Sequence, residues 1–243
     1  MIEDLQKETK SLINKEKAKL LQGFFKTGKG EYGEGDIFYG LTVPESRKIV
    51  LKYKDLPLSE TVLLLKSKIH EERLIALLIL VSKYQKGDQK TKEKIYNLYL
   101  KSTKYINNWD LVDSSAHKII GDYLIVSVSK NKSILEHLAK SKILWERRIS
   151  IISTFAFINR GSAKETLKIS EILVNDKHDL IQKAVGWALR EVGKRVSLKD
   201  ERKFLDKYAS TMPRTMLRYA IERFDSKLKN EYLQAKQRTT SGN

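Results

Sequence analysis

Along most of this chain apolar residues recur at i, i+3, i+4 and i+7, and short polar stretches separate the runs, which is the spacing of amphipathic helices. The pattern predicts helices near 3–26, 45–54, 58–67, 70–86, 89–103, 108–127, 132–140, 144–160, 164–174, 179–196, 199–209 and 213–224. No alternating run is bounded by an Asn-Gly or Asp-Gly turn, so no strand is predicted and the fold class is all-α. One stretch breaks the pattern. Residues 27–40, TGKGEYGEGDIFYG, hold five glycines and three aromatics in fourteen positions. They lack both a GxxxxGK[ST] motif and a strand before them, so phosphate cradling is a poor fit. A mobile, aromatic-bearing loop that contacts a partner fits better.

The helices repeat a plan. EERLIALLILVSKY, WDLVDSSAHKIIGDYL, WERRISIISTFAFI and IQKAVGWALREVGKRV each pass from a polar start into a long apolar helix. Aligning their apolar registers brings Arg73, Asp113, Arg148 and Lys183 to equivalent positions, 40, 35 and 35 residues apart. PRTMLRYAIERF places Arg214 close to that register after 31 more. A period of about 35–45 residues with two helices per unit marks a HEAT-like α-solenoid, whose second helices stack into a concave wall. A single repeat domain over 1–236 and a polar tail at 237–243 follow. Arg73, Asp113, Arg148 and Lys183 are expected on the exposed concave face.

Composition narrows the partner. There are 47 Lys and Arg against 30 Asp and Glu, a formal net charge of +17, which points to a polyanion and first to nucleic acid. A lysine-rich solvated surface is the competing explanation. Zero cysteines remove thiolate chemistry, and four scattered histidines contain no HExxH pair, so no metal site is expected. The charged N-terminus does not read as a signal peptide, and LIALLILV is too short for a span of about 20 residues. A cytoplasmic protein with no membrane contact is expected.

Three of the four aligned residues are cations, and such a row could track a phosphodiester backbone and release its counterions. Each could instead pair with a nearby acid, Glu72, Glu146 or Glu191. Asp113 is the exception. A carboxylate near a polyanion is unfavourable unless it stabilises a developing cation or orients a water. Trp109 lies four residues before it, and Trp187 four residues after Lys183, so both indoles can share a face with the aligned position. Aromatic faces attract cations and stack on bases or sugars, although core packing is the usual role of a helical Trp.

The segments GEYGEGDIFYGLTVPESRK, NNWDLVDSSAHKIIGDYL, WERRISIISTFAFI and IQKAVGWALREVGKRV resemble the AlkD-type DNA alkylation repair enzymes, DNA glycosylases built from HEAT-like repeats. The resemblance runs from about residue 20 to about 224, and the WDxVD and QKAxGWxLRE strings are specific in combination. It implies that Asp113 is the catalytic aspartate, Trp109 and Trp187 the aromatic walls, and Arg148 the DNA-contacting arginine of the site. It also implies excision of cationic N3- or N7-alkylated purines from double-stranded DNA by a monomer that uses no cofactor. Arg73, Lys183, Arg190 and Arg214 are the expected DNA-binding residues. Against this stand a non-catalytic repeat protein that binds damaged or branched DNA, and a protein-interaction solenoid whose charge is incidental.

Overall fold

The computed structural model describes residues 1–126 and 133–238, and they are helical almost throughout. In chain order the helices are α1 (Ile2–Ser11), α2 (Lys15–Phe24), α3 (Val43–Lys52), α4 (Leu58–Leu65), α5 (His70–Lys86), α6 (Gln89–Lys101), α7 (Trp109–Ala116) and α8 (Asp122–Val126). They continue as α9 (Ser133–Ala139), α10 (Leu144–Ser153), α11 (Phe155–Ile158), α12 (Lys164–Leu173), α13 (Asp179–Arg195), α14 (Leu198–Tyr208), α15 (Arg214–Ala220) and α16 (Ser226–Arg238). Among the described residues no strand forms, only a single parallel bridge between Ile37 and Ile69. The all-α expectation holds.

Local chemistry corrects several boundaries. The single helix expected over 3–26 is two, because Asn14 takes extended backbone and its side chain caps the amide of Lys17, starting α2 afresh. The helix expected over 108–127 contains a π-helical turn, His117–Gly121. The helix expected over 144–160 divides at Thr154. Past residue 224 the chain forms α16, which was not expected. Of the tail expected at 237–243, residues 239–243 lie outside the described residues.

The chain forms two compact units, residues 1–119 and 120–243. In the first, α3, α4, α6 and α7 all pack on α5. That helix buries side chains on every face, including Ile75, Leu77, Ile79 and Leu80, so its apolar pattern is nearly continuous rather than striped. In the second unit α13 is central, packed by α10, α12, α14 and α15. Gly186 permits this: a Cβ there would strike the carbonyl of Met216 and lie 2.5 Å from the Cβ of Tyr219. The glycine of the QKAxGWxLRE string is therefore a helix-crossing residue.

A shared hydrogen-bond signature fixes the repeat register. Ser67 Oγ accepts from the amide of Ile69, Ser141 Oγ from that of Ile143, and Asp176 Oδ1 from that of His178. Six residues after each cap, a side chain reaches back to donate to the cap's carbonyl: Arg73 Nη1 at 3.0 Å, Arg147 Nη1 at 3.0 Å and Gln182 Nε2 at 2.9 Å. Arg73 is thus in register with Arg147, not Arg148, and the apolar alignment slips by one residue at α5. Helices α7, α10, α13 and α15 begin at Trp109, Leu144, Asp179 and Arg214, each 35 residues after the last. Asp113, Arg148 and Lys183 are their fifth residues, and the fifth residue of α15 is Arg218 rather than Arg214.

The Gly-rich segment is only partly a surface loop. From Asp36 onward it is packed down, because Glu71 of α5 accepts the amides of Tyr39, Gly40 and Leu41 at 2.8–3.1 Å. Asp36, Phe38 and Leu41 are buried. This half is an internal brace, which corrects the expectation of a mobile loop for residues 36–40. Gly40 holds φ +87°, and a Cβ there would strike the carbonyl of Asn14 and lie 2.7 Å from the amide of Ala18. Gly40→Ala should therefore destabilise the protein by about 1–3 kcal/mol or more, read as a lower denaturation midpoint. An unchanged midpoint would contradict this.

Candidate functional site

In the first unit the site is built on α7. Asn108 is fully buried, and its Oδ1 accepts the amide of Trp109 at 2.8 Å, fixing the first turn. The Trp109 ring stacks on Phe25 with centroids 5.2 Å apart, and Phe24 meets it edge-on at 5.9 Å. Phe25 in turn stacks on Phe38 at 5.0 Å. Phe24 stays 64% exposed, so this aromatic cluster opens to solvent at one edge. Trp109 is half-buried: core residue on one face, exposed surface on the other.

Asp113 follows one turn later and is also half-buried. Burial pushes the Tyr99 hydroxyl well above its ordinary value, and the Asp113 carboxylate adds to the shift. His117 donates to the backbone carbonyl of Asp113. Burial drives its pKa down to about 4, helped by the charge of Lys118, so the imidazole is neutral at pH 7. A π turn at a functional position is a recurrent feature of helices, and this side-chain bond serves the carbonyl where the ladder changes pitch. Burial and the charge of Arg47 also push Lys118 below the usual lysine value.

The second unit carries most of the remaining expected residues, and several of them are engaged in contacts within the protein. Arg148 is 6% exposed, and its Nη1 donates to the carbonyl of Leu180 at 2.6 Å, bracing the first turn of α13. It is not an exposed member of a cationic row. Arg190 pairs with Glu222 and lies 3.9 Å from Glu191. Arg214 donates to the carbonyl of Leu233 at 2.8 Å. Arg73, in the first unit, is 3% exposed and pairs with Asp36 at 2.6 Å. The reason is common to all four, two buried and two half-buried: a guanidinium presents five donors in a rigid fork, which suits carbonyls and carboxylates. Lys183 is more open, its side chain 40% exposed beside Asp179 at 2.9 Å. Trp187 is half-buried against Phe155, with centroids 4.5 Å apart. Arg218 is exposed, one repeat beyond Lys183 on the neighbouring helix.

A family model described as DNA alkylation repair enzyme matches residues 5–224. This chain belongs to the DNA alkylation repair enzyme family. Its fold is shared with a solved structure described as a predicted DNA alkylation repair enzyme from Enterococcus faecalis, with a TM-score of 0.69. That match has 15% identity and covers 88% of this chain and 97% of the other. Among curated proteins none matches in sequence.

Two features of this family member escaped sequence reasoning. Arg218 was discoverable, since the 35-residue step from Asp113, Arg148 and Lys183 leads to it directly. The contacts of His70 with Asp36 and Asp110 join residues 34 and 40 positions apart, and no local pattern announces them. Among the described residues no cluster of three or more His, Asp or Glu is arranged to hold a metal, and no helix is long and apolar enough to cross a membrane.

The depressed pKa of His117 sets an acid limit. Between its ordinary value of 6.5 and about 4 the unfolded chain binds a proton that the native state refuses, so stability falls as pH drops through that window. His117→Gln keeps a donor but cannot titrate. Denaturant titrations from pH 7 to pH 4 should show the wild type losing more stability than the variant. Parallel losses would contradict the assignment.

Proposed function

We propose that this protein is a DNA glycosylase that releases cationic N3- or N7-alkylated purines from double-stranded DNA. The observation that carries the reading is the placement of half-buried Asp113 one turn after half-buried Trp109 on α7, in a repair-family chain of net charge +17. Alkylation at a ring nitrogen leaves a positive charge on the base. The bond from that base to C1′ breaks with its electron pair going to the base, which departs neutral, so no acid is required to protonate it. What remains is an oxocarbenium-like sugar. The Asp113 carboxylate stabilises that cation, Trp109 contributes through the quadrupole of its ring, and water adds at C1′ with loss of a proton.

Binding falls to the open cations. Lys183 and Arg218 lie on adjacent helices of the second unit, one repeat apart, and both reach solvent. In this reading they follow the phosphodiester backbone, while Arg148, Arg190 and Arg214 hold the scaffold. Trp187, on the same helix as Lys183, offers an aromatic face in the second unit.

Asp113→Asn keeps the shape of the side chain and removes its charge. Single-turnover release of 7-methylguanine from alkylated duplex should fall at least about 100-fold, as for loss of an electrostatic catalytic group. Duplex affinity should be retained, because a carboxylate near phosphates repels them. Undiminished release would remove this mechanism. If the wild type bound alkylated duplex and released no base, a binding role would replace it.

Arg218→Ala should weaken binding to all duplex sequences alike and lower the slope of log affinity against log salt by about one. An unchanged slope would take Arg218 out of the interface.

A further inference from the structure

His70 is the first residue of α5, and its ring is 2% exposed. Its Nδ1 lies 3.1 Å from Asp36 Oδ2, and its Nε2 lies 2.8 Å from Asp110 Oδ2. An ionised carboxylate only accepts, so satisfying both contacts requires a hydrogen on each nitrogen, which makes the ring an imidazolium. Phe38 stacks on the ring at 4.4 Å and Phe25 lies 5.0 Å away. The charged groups around it come from three elements: Asp36 from the Gly-rich segment, Asp110 from α7 and Arg73 from α5 itself. Burial and Arg73 oppose the positive charge, and the two carboxylates outweigh them, so the ring titrates above its ordinary value.

The two carboxylates are not equivalent in what they control. Asp36 also accepts from Arg73 Nη2 at 2.6 Å and from Asn108 Nδ2 at 3.3 Å, so it holds the N-cap of α7. Asp110 is the second residue of α7, next to Trp109 and three residues before Asp113. The Trp109 ring rests on Phe25, which itself rests on Phe38 beside His70. The first turn of α7 is therefore gripped from its cap, from Asp110 and from the stacked ring, and His70 meets the residue behind each hold: Asp36, Asp110 and Phe25.

We propose that His70 is a positioning residue: by bridging Asp36 and Asp110 through both ring nitrogens it joins the Gly-rich segment to the first turn of α7 and sets Trp109 and Asp113 for base release. The last clause rests on the glycosylase reading, and the bridge itself does not. When the ring loses a proton it keeps one donor, and a lone pair then faces one of the two carboxylates. That link opens, and the turn carrying Trp109 relaxes. Because the native ring titrates above 6.5, the bridge is intact below that pH and is lost as pH rises through the native value.

Two measurements test this and separate it from the activity. In the first, 15N NMR of the folded protein follows the His70 ring and the Trp109 indole N–H from pH 6 to pH 9, with the indole assigned by Trp109→Phe. We expect both ring nitrogens protonated near pH 6.5, and the Trp109 resonance moving with the His70 midpoint. In His70→Gln, or in Asp110→Asn should the first variant not fold, that movement should vanish. The second is single-turnover release of 7-methylguanine over the same range, beside duplex affinity. Wild-type release should decline across the His70 midpoint. Release by the variants should be about tenfold lower and flat across that interval, as for loss of a partner that orients a reactive group, with duplex affinity within about twofold of wild type. A singly protonated ring at pH 6.5, or a Trp109 resonance indifferent to its titration, would overturn the proposal whatever the activity. A Trp109 resonance that tracks His70 in a protein releasing no base would uphold the bridge and reject the glycosylase reading instead.

Discussion

The buried carboxylate of Asp36 is the constraint on which the first unit turns. At 6% exposure it has almost no water, and burial alone would favour its neutral form. The His70 hydrogen bond, the charge of Arg73 and the Asn108 amide outweigh that penalty and keep it ionised below its ordinary value. Those partners come from two helix starts, α5 and the cap of α7. An apolar cluster of equal volume would fill the same space, but apolar contacts are non-directional and would leave the relative rotation of the elements open. The ionic cluster has one geometry in which every charge is met. Withdrawing the Asp36 carboxylate would leave the buried Arg73 guanidinium without the acid it pairs with, a change worth several kcal/mol in comparable sites.

That constraint explains why the glycine-rich segment belongs to the fold. Its composition suggests looseness, yet its later residues supply Asp36 and Phe38 to the core and three amides to Glu71. The glycines serve backbone geometry here, as at Gly40, rather than freedom. Composition reports which conformations are allowed, and tertiary contacts decide whether one is imposed. The partners of Asp36 lie 34, 37 and 72 residues away, distances at which sequence pattern is silent.

Where the chain was legible, it was so through period. The 3.6-residue spacing located most helices, and the 35-residue step located Asp113, Arg148 and Lys183 on successive ones. Both signals failed where apolar residues did not mark a single buried face. Leu12 and Ile13 continue the helical pattern through the break before α2, yet they are 42% and 39% exposed. At α5 nearly every side chain is buried, so an apolar alignment had no face to lock on and slid by one. The polar signature was the better ruler: a cap, an amide two residues on, and a donor six residues on. It would have put Arg73 beside Arg147 and kept it out of any exposed row. Charge sign was likewise readable while charge placement was not, since Arg73 and Arg148 are buried, and Arg190 and Arg214, half-buried, also make contacts within the protein.

The placement of Asp113 carries the last step. In the proposed glycosylase reading the Asp113 carboxylate acts through its negative charge. The fifth position of α7 lies beyond the first turn, where the helix dipole is felt most. His117, in the π turn that follows α7, meets the backbone carbonyl of Asp113 and is held neutral by burial. Tyr99 beneath it is likewise kept in its neutral, protonated form. The imidazolium of the unit is placed elsewhere, between Asp36 and Asp110, where it orients the turn. One helix thus carries two aspartates three residues apart in different settings: Asp110 is tied to His70, and in the proposed glycosylase reading Asp113 serves the cation that forms during reaction.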